Sequence, residues 1–311
     1  MSLSSAVSSK PRALLFDRQR QLLALLDALG GRAGNLDFQK LLFLYCQEPG
    51  WAAAYEFVPY KYGAFSFTSY ADRRKLIERG LLADDEHHWE LTDAGKHAAR
   101  SAGAGGQDLG TFARRYKALR GDALVVETYR RYPYYATRSE IAERVLRTDP
   151  AALQRIAEAR SAPQRAALST IGYEGRTLES YLNGLLKAGV SLLCDVRRNP
   201  ISRKYGFSKS TLAKGCEGVG IRYEHLPELG IASEQRRSLE TQADYDALFE
   251  EYERESLPAQ QRALETIQDW IQSGQHVALT CYERLPERCH RHCVAEALEQ
   301  GSGERFGARH L

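Results

Sequence analysis

Thirteen residues near the C-terminal end, CYERLPERCHRHC (281–293), hold three cysteines, two histidines, two glutamates and three arginines. Side chains of these types can bind a metal, provide a thiolate nucleophile, or form an acid–base pocket. For zinc, Cys281, Cys289, His290, His292 and Cys293 offer enough ligands. Structural zinc sites, however, usually combine paired short spacings from two chain segments. Here there is one cluster, with Cys281 ending a predicted strand and Cys289 and Cys293 four apart on one predicted helix face. The expectation is therefore no tightly bound metal. As a nucleophile, Cys289 is the better placed thiol. It stands at a predicted helix start, beside His290 and between Arg288 and Arg291, a setting that lowers a thiol pKa. It does not form a Cys-x5-Arg phosphate loop. Cys194 and Cys216 read as small buried apolar side chains. For Cys281 and Cys289, burial and reactivity stand level.

The acid–base reading uses more residues. From residue 169 the pattern alternates: LSTIGY, SLLCDVR, IRYEHL and HVALTCY read as strands, with helical segments between them. Alternation of this kind predicts an α/β domain, a parallel-type sheet with helices on both faces over residues 168–311. Function in such sheets gathers beyond the carboxyl ends of the strands. The four strand exits carry Tyr173 and Glu174; Asp195, Arg197 and Arg198; Tyr223 to His225; and Cys281, Glu283, Cys289, His290 and Arg291. Asp195 and Glu283 end different strands and can face one pocket. Asp195 is favoured as the acid–base residue, since Arg197 lies two along an extended run and faces the same side. Arg197, Arg198, Lys204 and Arg291 are the candidates for phosphate, with Glu174, Cys281 and Cys289 near the substrate. Tyr173 can stack on a base, and His290 can donate to a leaving group. The competing reading is an Asp–Arg network that braces the strand ends without chemistry. TIGYEG lacks the G-x-G-x-x-G spacing, so no dinucleotide cofactor is expected.

These segments, TIGYEGRTLESYL, LLCDVRRNPISRKYGFSKSTL, IRYEHLPELG and CYERLPERCHRHCVAEAL, resemble in order and spacing the bacterial family catalogued as domain of unknown function 488. The resemblance covers about residues 169–300. Tyr173 falls at its "TIG" strand exit and Asp195 and Arg197 in its "DVR". Phe207 and Ser208 match its "FS" helix start. Cys281, Glu283, Cys289, His290 and Arg291 match its "C-x-E…CHR" signature. The resemblance implies an α/β fold and no settled activity. Members that lie near DNA-modification and phage-defence genes imply work on nucleic acid. The family usually closes on a strand near "V-x-H-I/L"; here only RFGARHL remains, which puts a substrate edge there in doubt.

The first half must deliver that domain to its target. Residues 12–100 read as three helices, with Asn35 a candidate N-cap and Gly80 a stop, followed by GLLADDEHHWELTDAG. This order resembles a winged-helix domain, with Leu81 and Leu82 in one wing strand and Trp89 to Leu91 in the other. YEFVPYKYGAFSF resembles modules of bacterial defence and toxin–antitoxin loci. Lys61, Arg73 and Arg74 are candidate DNA contacts there. SAGAGGQ (101–107) reads as a linker. Residues 108–167 read as a basic helical connector. They interleave arginines with tyrosines and carry about +5 of charge, against about +1 before and −3 after. Arg114, Arg115, Arg130 and Arg131 suit phosphates, and the tyrosines suit unstacked bases. A solvated structural connector is the alternative.

With 311 residues, six cysteines and net charge +3, the chain is neither a disulfide scaffold nor so basic that composition alone demands nucleic acid. Its polar N-terminus and the lack of a long apolar run point to a cytoplasmic protein without membrane partners. The leading expectation is a DNA-processing hydrolase in anti-phage defence. It would act on a modified base by glycosylase-like cleavage of the N-glycosidic bond, without a cofactor. The alternatives are a winged-helix regulator with a ligand-sensing α/β domain and a thiol-dependent enzyme on a small molecule. The oligomeric state is not legible.

Overall fold

The structure, a computed structural model, describes residues 14–48, 54–101, 109–160, 167–232, 234–236, 239–301 and 307–311. Apart from Ser101, the SAGAGGQ segment lies outside the described residues, as do Arg305 and Phe306 of RFGARHL. The chain divides into two compact units. The first comprises residues 1–55 and 69–121, and the second residues 56–68 and 122–311. This partition differs from the one read in the sequence. The basic segment divides at Gly121, and the hairpin Val58–Tyr60/Gly63–Phe65 belongs with the later residues. Glu179 helps to explain why. Its buried carboxylate accepts from Thr68 N at 2.7 Å, Thr68 Oγ1 at 2.9 Å and Ser66 Oγ at 3.2 Å. Burial raises its pKa.

In the first unit, helices Asp17–Ala28 and Asn35–Cys46 bury Leu22, Leu25, Phe38 and Leu41. The second helix is capped by Gly34 rather than Asn35, whose Nδ2 instead donates to Glu86 O at 2.6 Å. Strand Arg32–Gly34 pairs antiparallel with His88–Glu90, and Leu82 bridges Leu91. Trp89 is fully buried against Phe38 and Tyr70. Arg73 lies over the Trp89 ring and donates to the carbonyls of Asp85 and His88. Arg73 is thus a packing residue, which corrects its reading as a DNA contact; Arg74 is exposed.

The second unit is built on five parallel strands. In chain order they are β1 (Ala167–Gly172), β2 (Leu192–Asp195), β3 (Arg222–His225), β4 (His276–Cys281) and β5 (Arg309–His310). The sheet order is β3-β2-β4-β1-β5. Period-two alternation sends Leu192, Cys194, Val277 and Leu279 to one face and Leu193 and Ala278 to the other. Helices α1 (Leu178–Lys187) and α2 (Lys209–Gly218) cover the second of these faces. Helices α3 (Gln242–Glu251), α4 (Gln261–Gln272) and α5 (Arg291–Gly301) cover the first. Because β4 is central and covered on both sides, every residue from His276 to Cys281 is buried. Within RFGARHL, Arg309 and His310 still supply an edge strand. Arg309 and His310 pair with Ser169 and Thr170, and His310 Nδ1 lies 2.7 Å from Thr170 Oγ1. Among the described residues, no helix is long and apolar enough to cross a membrane.

Candidate functional site

At the carboxyl ends of β1, β2 and β4, a cavity of about 320 Å³ opens. Tyr173, Arg197, Arg198, Cys281 and Glu283 line it, together with Arg203, Arg236 and Tyr282. A larger cavity of about 480 Å³ lies elsewhere, lined by Asp246, Glu250, Glu253, Glu287 and Glu296. Five carboxylates there oppose a phosphate-bearing ligand, whereas the strand-end cavity has four arginines around one carboxylate.

Two close backbone approaches shape this cavity. A Cβ on Gly172 would meet Glu283 O at 1.8 Å, so only glycine lets the loop after β4 cross the end of β1. A Cβ on Gly230 would meet Arg198 N at 2.0 Å, which seats the turn Pro227–Leu229 on the loop after β2.

Asp195 does not line the cavity. It is 0% exposed, and Arg197 N and Nε donate to its Oδ1 at 3.2 and 2.8 Å. Arg197 Nη2 and Tyr223 OH donate to its Oδ2 at 2.5 and 2.6 Å. Both oxygens are occupied by a bidentate arginine and a phenol. Arg197 also donates to Tyr173 OH at 3.0 Å and to Phe207 O at 2.9 Å. Burial alone would lower the pKa of Arg197, but the Asp195 carboxylate outweighs it and raises it. Burial, reinforced by Asp195, likewise raises Tyr223. The geometry therefore corrects two expectations: Asp195 positions the strand end, and Arg197 holds Asp195 instead of a phosphate. Tyr173 is also engaged. Its ring stacks on Phe207 at 4.3 Å and is 3% exposed, while the neighbouring Tyr282 is 44% exposed.

Arg291 is buried and donates to Thr170 Oγ1, Glu283 O and Arg284 O at 3.3, 2.6 and 3.0 Å. It fastens the loop after β4 and does not reach the cavity, so it too is withdrawn from the phosphate set. Lys204 donates to Tyr173 O at 3.2 Å, and Glu174 accepts from Arg284 N at 3.0 Å; neither lines the cavity. Arg198 and Arg203 are exposed cations on its wall.

The thiols exchange roles relative to the sequence reading. Cys289 is buried in an extended conformation before α5 begins, so it shares no helix face with Cys293. Burial pushes its pKa well up, and Cys281 and Glu283 add to that. Cys281 is pulled well down by the Cys289 hydrogen bond, against burial and with help from His290 and Arg236. The two thiols shift in opposite directions, which makes Cys281 the more acidic of the pair. His290 Nε2 donates to Val196 O at 3.0 Å, which turns Nδ1 toward Cys281 Sγ at 3.9 Å. Burial works to lower His290, and the Cys281 charge outweighs it. His290 is buried behind Cys281 and does not line the cavity, which removes it as a direct donor to a leaving group.

Glu283 remains as the cavity's carboxylate. Burial and Cys281 raise its pKa, and Arg236, its ion-pair partner, opposes the rise. Arg236 was missed in the sequence because it lies between Gly230 and α3, in a segment without helical or strand periodicity. Its only signal was a pair of adjacent arginines, Arg236 and Arg237.

Residues 177–298 match the model of the family described as "Domain of unknown function DUF488". The match includes Asp195, Arg197 and the 281–291 cluster, and it ends before β5. No curated protein and no solved structure matches the chain.

Proposed function

We propose that the second unit is the catalytic part of a DNA-processing hydrolase, and that it cleaves the N-glycosidic bond of a modified base. The observation that carries this reading is Glu283, a single carboxylate on the wall of a strand-end cavity ringed by Arg198, Arg203 and Arg236. Glycosidic hydrolysis needs a carboxylate to steady an oxocarbenium-like centre or to activate water. The cavity is within the size range of small-molecule sites, roughly 300–1,000 Å³, and suits one extruded nucleoside. Exposed Tyr282 and Ile201 at the cavity supply apolar surface for a base, and the exposed arginines supply charge for flanking phosphates.

The first unit fits this role as a winged-helix-type DNA-binding module. Three helices in order, with a small antiparallel pair around Trp89, support that reading. Arg74, Lys61 and the basic arginines are the proposed phosphate contacts, the setting is cytoplasmic, and the activity would serve defence against modified foreign DNA.

The test is to incubate the protein with plain and hypermodified duplex DNA, heat in alkali, and resolve the strands. Breaks at modified positions that disappear with Glu283→Gln are expected. Intact strands from both DNAs would overturn the glycosidic reading.

A further inference from the structure

Cys281, Cys289 and His290 each present one donor atom, and the three atoms lie within 4.8 Å of one another. We propose that these residues bind a divalent metal of the zinc class through Cys281 Sγ, Cys289 Sγ and His290 Nδ1, with the fourth position on the cavity side. This extends the hydrolase reading and rests on it only for the use made of the metal. It also reverses the expectation from sequence spacing that the cluster holds no metal. That expectation asked for two short Cys pairs in sequence. The fold instead brings a strand exit and the residues before α5 together, so the second half of the site comes from topology.

Four features of the geometry support the assignment. First, a tetrahedral zinc with bonds of about 2.3 Å to sulfur and 2.0 Å to nitrogen places S and N donors about 3.5 Å apart. Cys281 Sγ and His290 Nδ1 are 3.9 Å apart, so closure needs a few tenths of an ångström. Second, His290 has the orientation of a metal-bound imidazole: its far nitrogen donates to a backbone carbonyl, Val196 O, which fixes the ring and the tautomer. Third, all three residues are buried, and neither cysteine is tied up in a disulfide. Fourth, Glu283 Oε2 lies 3.4 Å from Cys281 Sγ while Arg236 holds its Oε1, which leaves the carboxylate beside the fourth corner rather than in place of a ligand. Two thiolates, an imidazole and an adjacent glutamate that is not itself a ligand are the set with which zinc deaminases activate water toward a nucleobase. In this chain the metal-bound water would pass its proton to Glu283. Its oxygen would bond to the sugar C1′ as the C1′–N bond breaks, and the departing base would take up the proton.

A second cluster, Glu253, His292 and Cys293, also falls within 4.8 Å, but Glu253 is exposed and the site faces the carboxylate-lined cavity. It serves as the internal control. The experiment is an anaerobic titration of the reduced full-length protein with cobalt(II), followed by zinc competition. One equivalent bound, with thiolate-to-cobalt charge-transfer absorption displaced by zinc, is expected. The absorption should be lost in Cys281→Ser, Cys289→Ser and His290→Asn and kept in Cys293→Ser. Absence of the band from the wild-type protein would overturn the site, whatever the variants do. So would a band that persists in the Cys281→Ser/Cys289→Ser double variant but vanishes in Cys293→Ser. Because the readout uses no DNA, failure of the metal site and failure of the glycosidic reading are separable. Bound metal with intact DNA retires the function and leaves the site.

Discussion

Asp195 and Glu283 are both acidic residues at strand exits, and the fold gives them opposite work. Asp195 holds the buried guanidinium of Arg197, so Asp195→Asn leaves a buried cation without its counter-charge. A loss of about 3 kcal/mol of stability is expected, the scale for breaking one side of a buried ion pair. A chemical denaturation series checks it; an unchanged midpoint would mean that Arg197 finds another partner. Glu283→Gln should behave the other way, with stability kept and turnover on modified DNA reduced about 100-fold, the scale for losing a general acid or base. The sequence showed both residues at strand ends and could not separate them. Which carboxylate is saturated depends on Tyr223, which comes from another strand, and on Arg236, which lies in an aperiodic stretch. The Cys281–His290 cluster was legible as chemistry because its residues are close in sequence. Which thiol is the more acidic was not legible, because Cys281 reaches Cys289 only through the turn Pro286–Arg288.

At the scale of elements, the four main strands and the helices between them were readable because each keeps one period. The two-residue β5 was not, since two residues carry no period; it is defined by pairing with β1. The positioning of the site depends on such contacts. At Gly172 the loop after β4 leaves no room for a methyl group. Gly172→Ala should displace the Glu283 carbonyl, loosen its bond from Arg291 and cut turnover, with far-ultraviolet circular dichroism unchanged. Full activity in that variant would show that the loop can move without consequence. The helix Asn35–Cys46 carries a different signal. Lys40 lies within its apolar face, is buried, and has its pKa lowered by burial from 10.5 to about 7. Between about pH 7 and 10.5 the unfolded chain therefore binds more protons at this position than the folded one, so stability rises with pH through that window. As pH falls through 7 the folded state must also charge the buried amine, and the contribution is gone. Melting temperatures taken at pH 7 and pH 9 should show this rise, and Lys40→Met should flatten it. An equal rise in the variant would place the proton linkage on another group.

For the molecule as a whole, the charge distribution was legible and its pairing was not. The basic excess of the middle segment is distributed over both units, with Arg114 and Arg115 in the first and Arg130 and Arg131 in the second. Several of these cations already face carboxylates. Arg115 lies 2.8 Å from Glu48, Arg130 2.7 Å from Asp149, and Arg131 3.9 Å from Glu127. All three arginine side chains are more than a third exposed, so these pairs are weak and a phosphate can replace the carboxylate. Binding to DNA should then release counterions from each phosphate contacted, and affinity should fall linearly in log–log form with salt, by about 0.9 per phosphate. Changing Arg114, Arg115, Arg130 and Arg131 together to Ala is expected to reduce that slope by more than about 1 and by no more than about 3.6, the four-contact limit. Arg73→Ala supplies the contrast. Its guanidinium packs on Trp89 and bonds the carbonyls of Asp85 and His88, so its loss should lower stability and leave the slope alone. Fluorescence anisotropy with a labelled duplex, repeated across a salt series, reads both outcomes. A slope untouched by the four changes would remove the middle segment from the DNA interface and leave its arginines as partners of Glu48, Asp149 and Glu127.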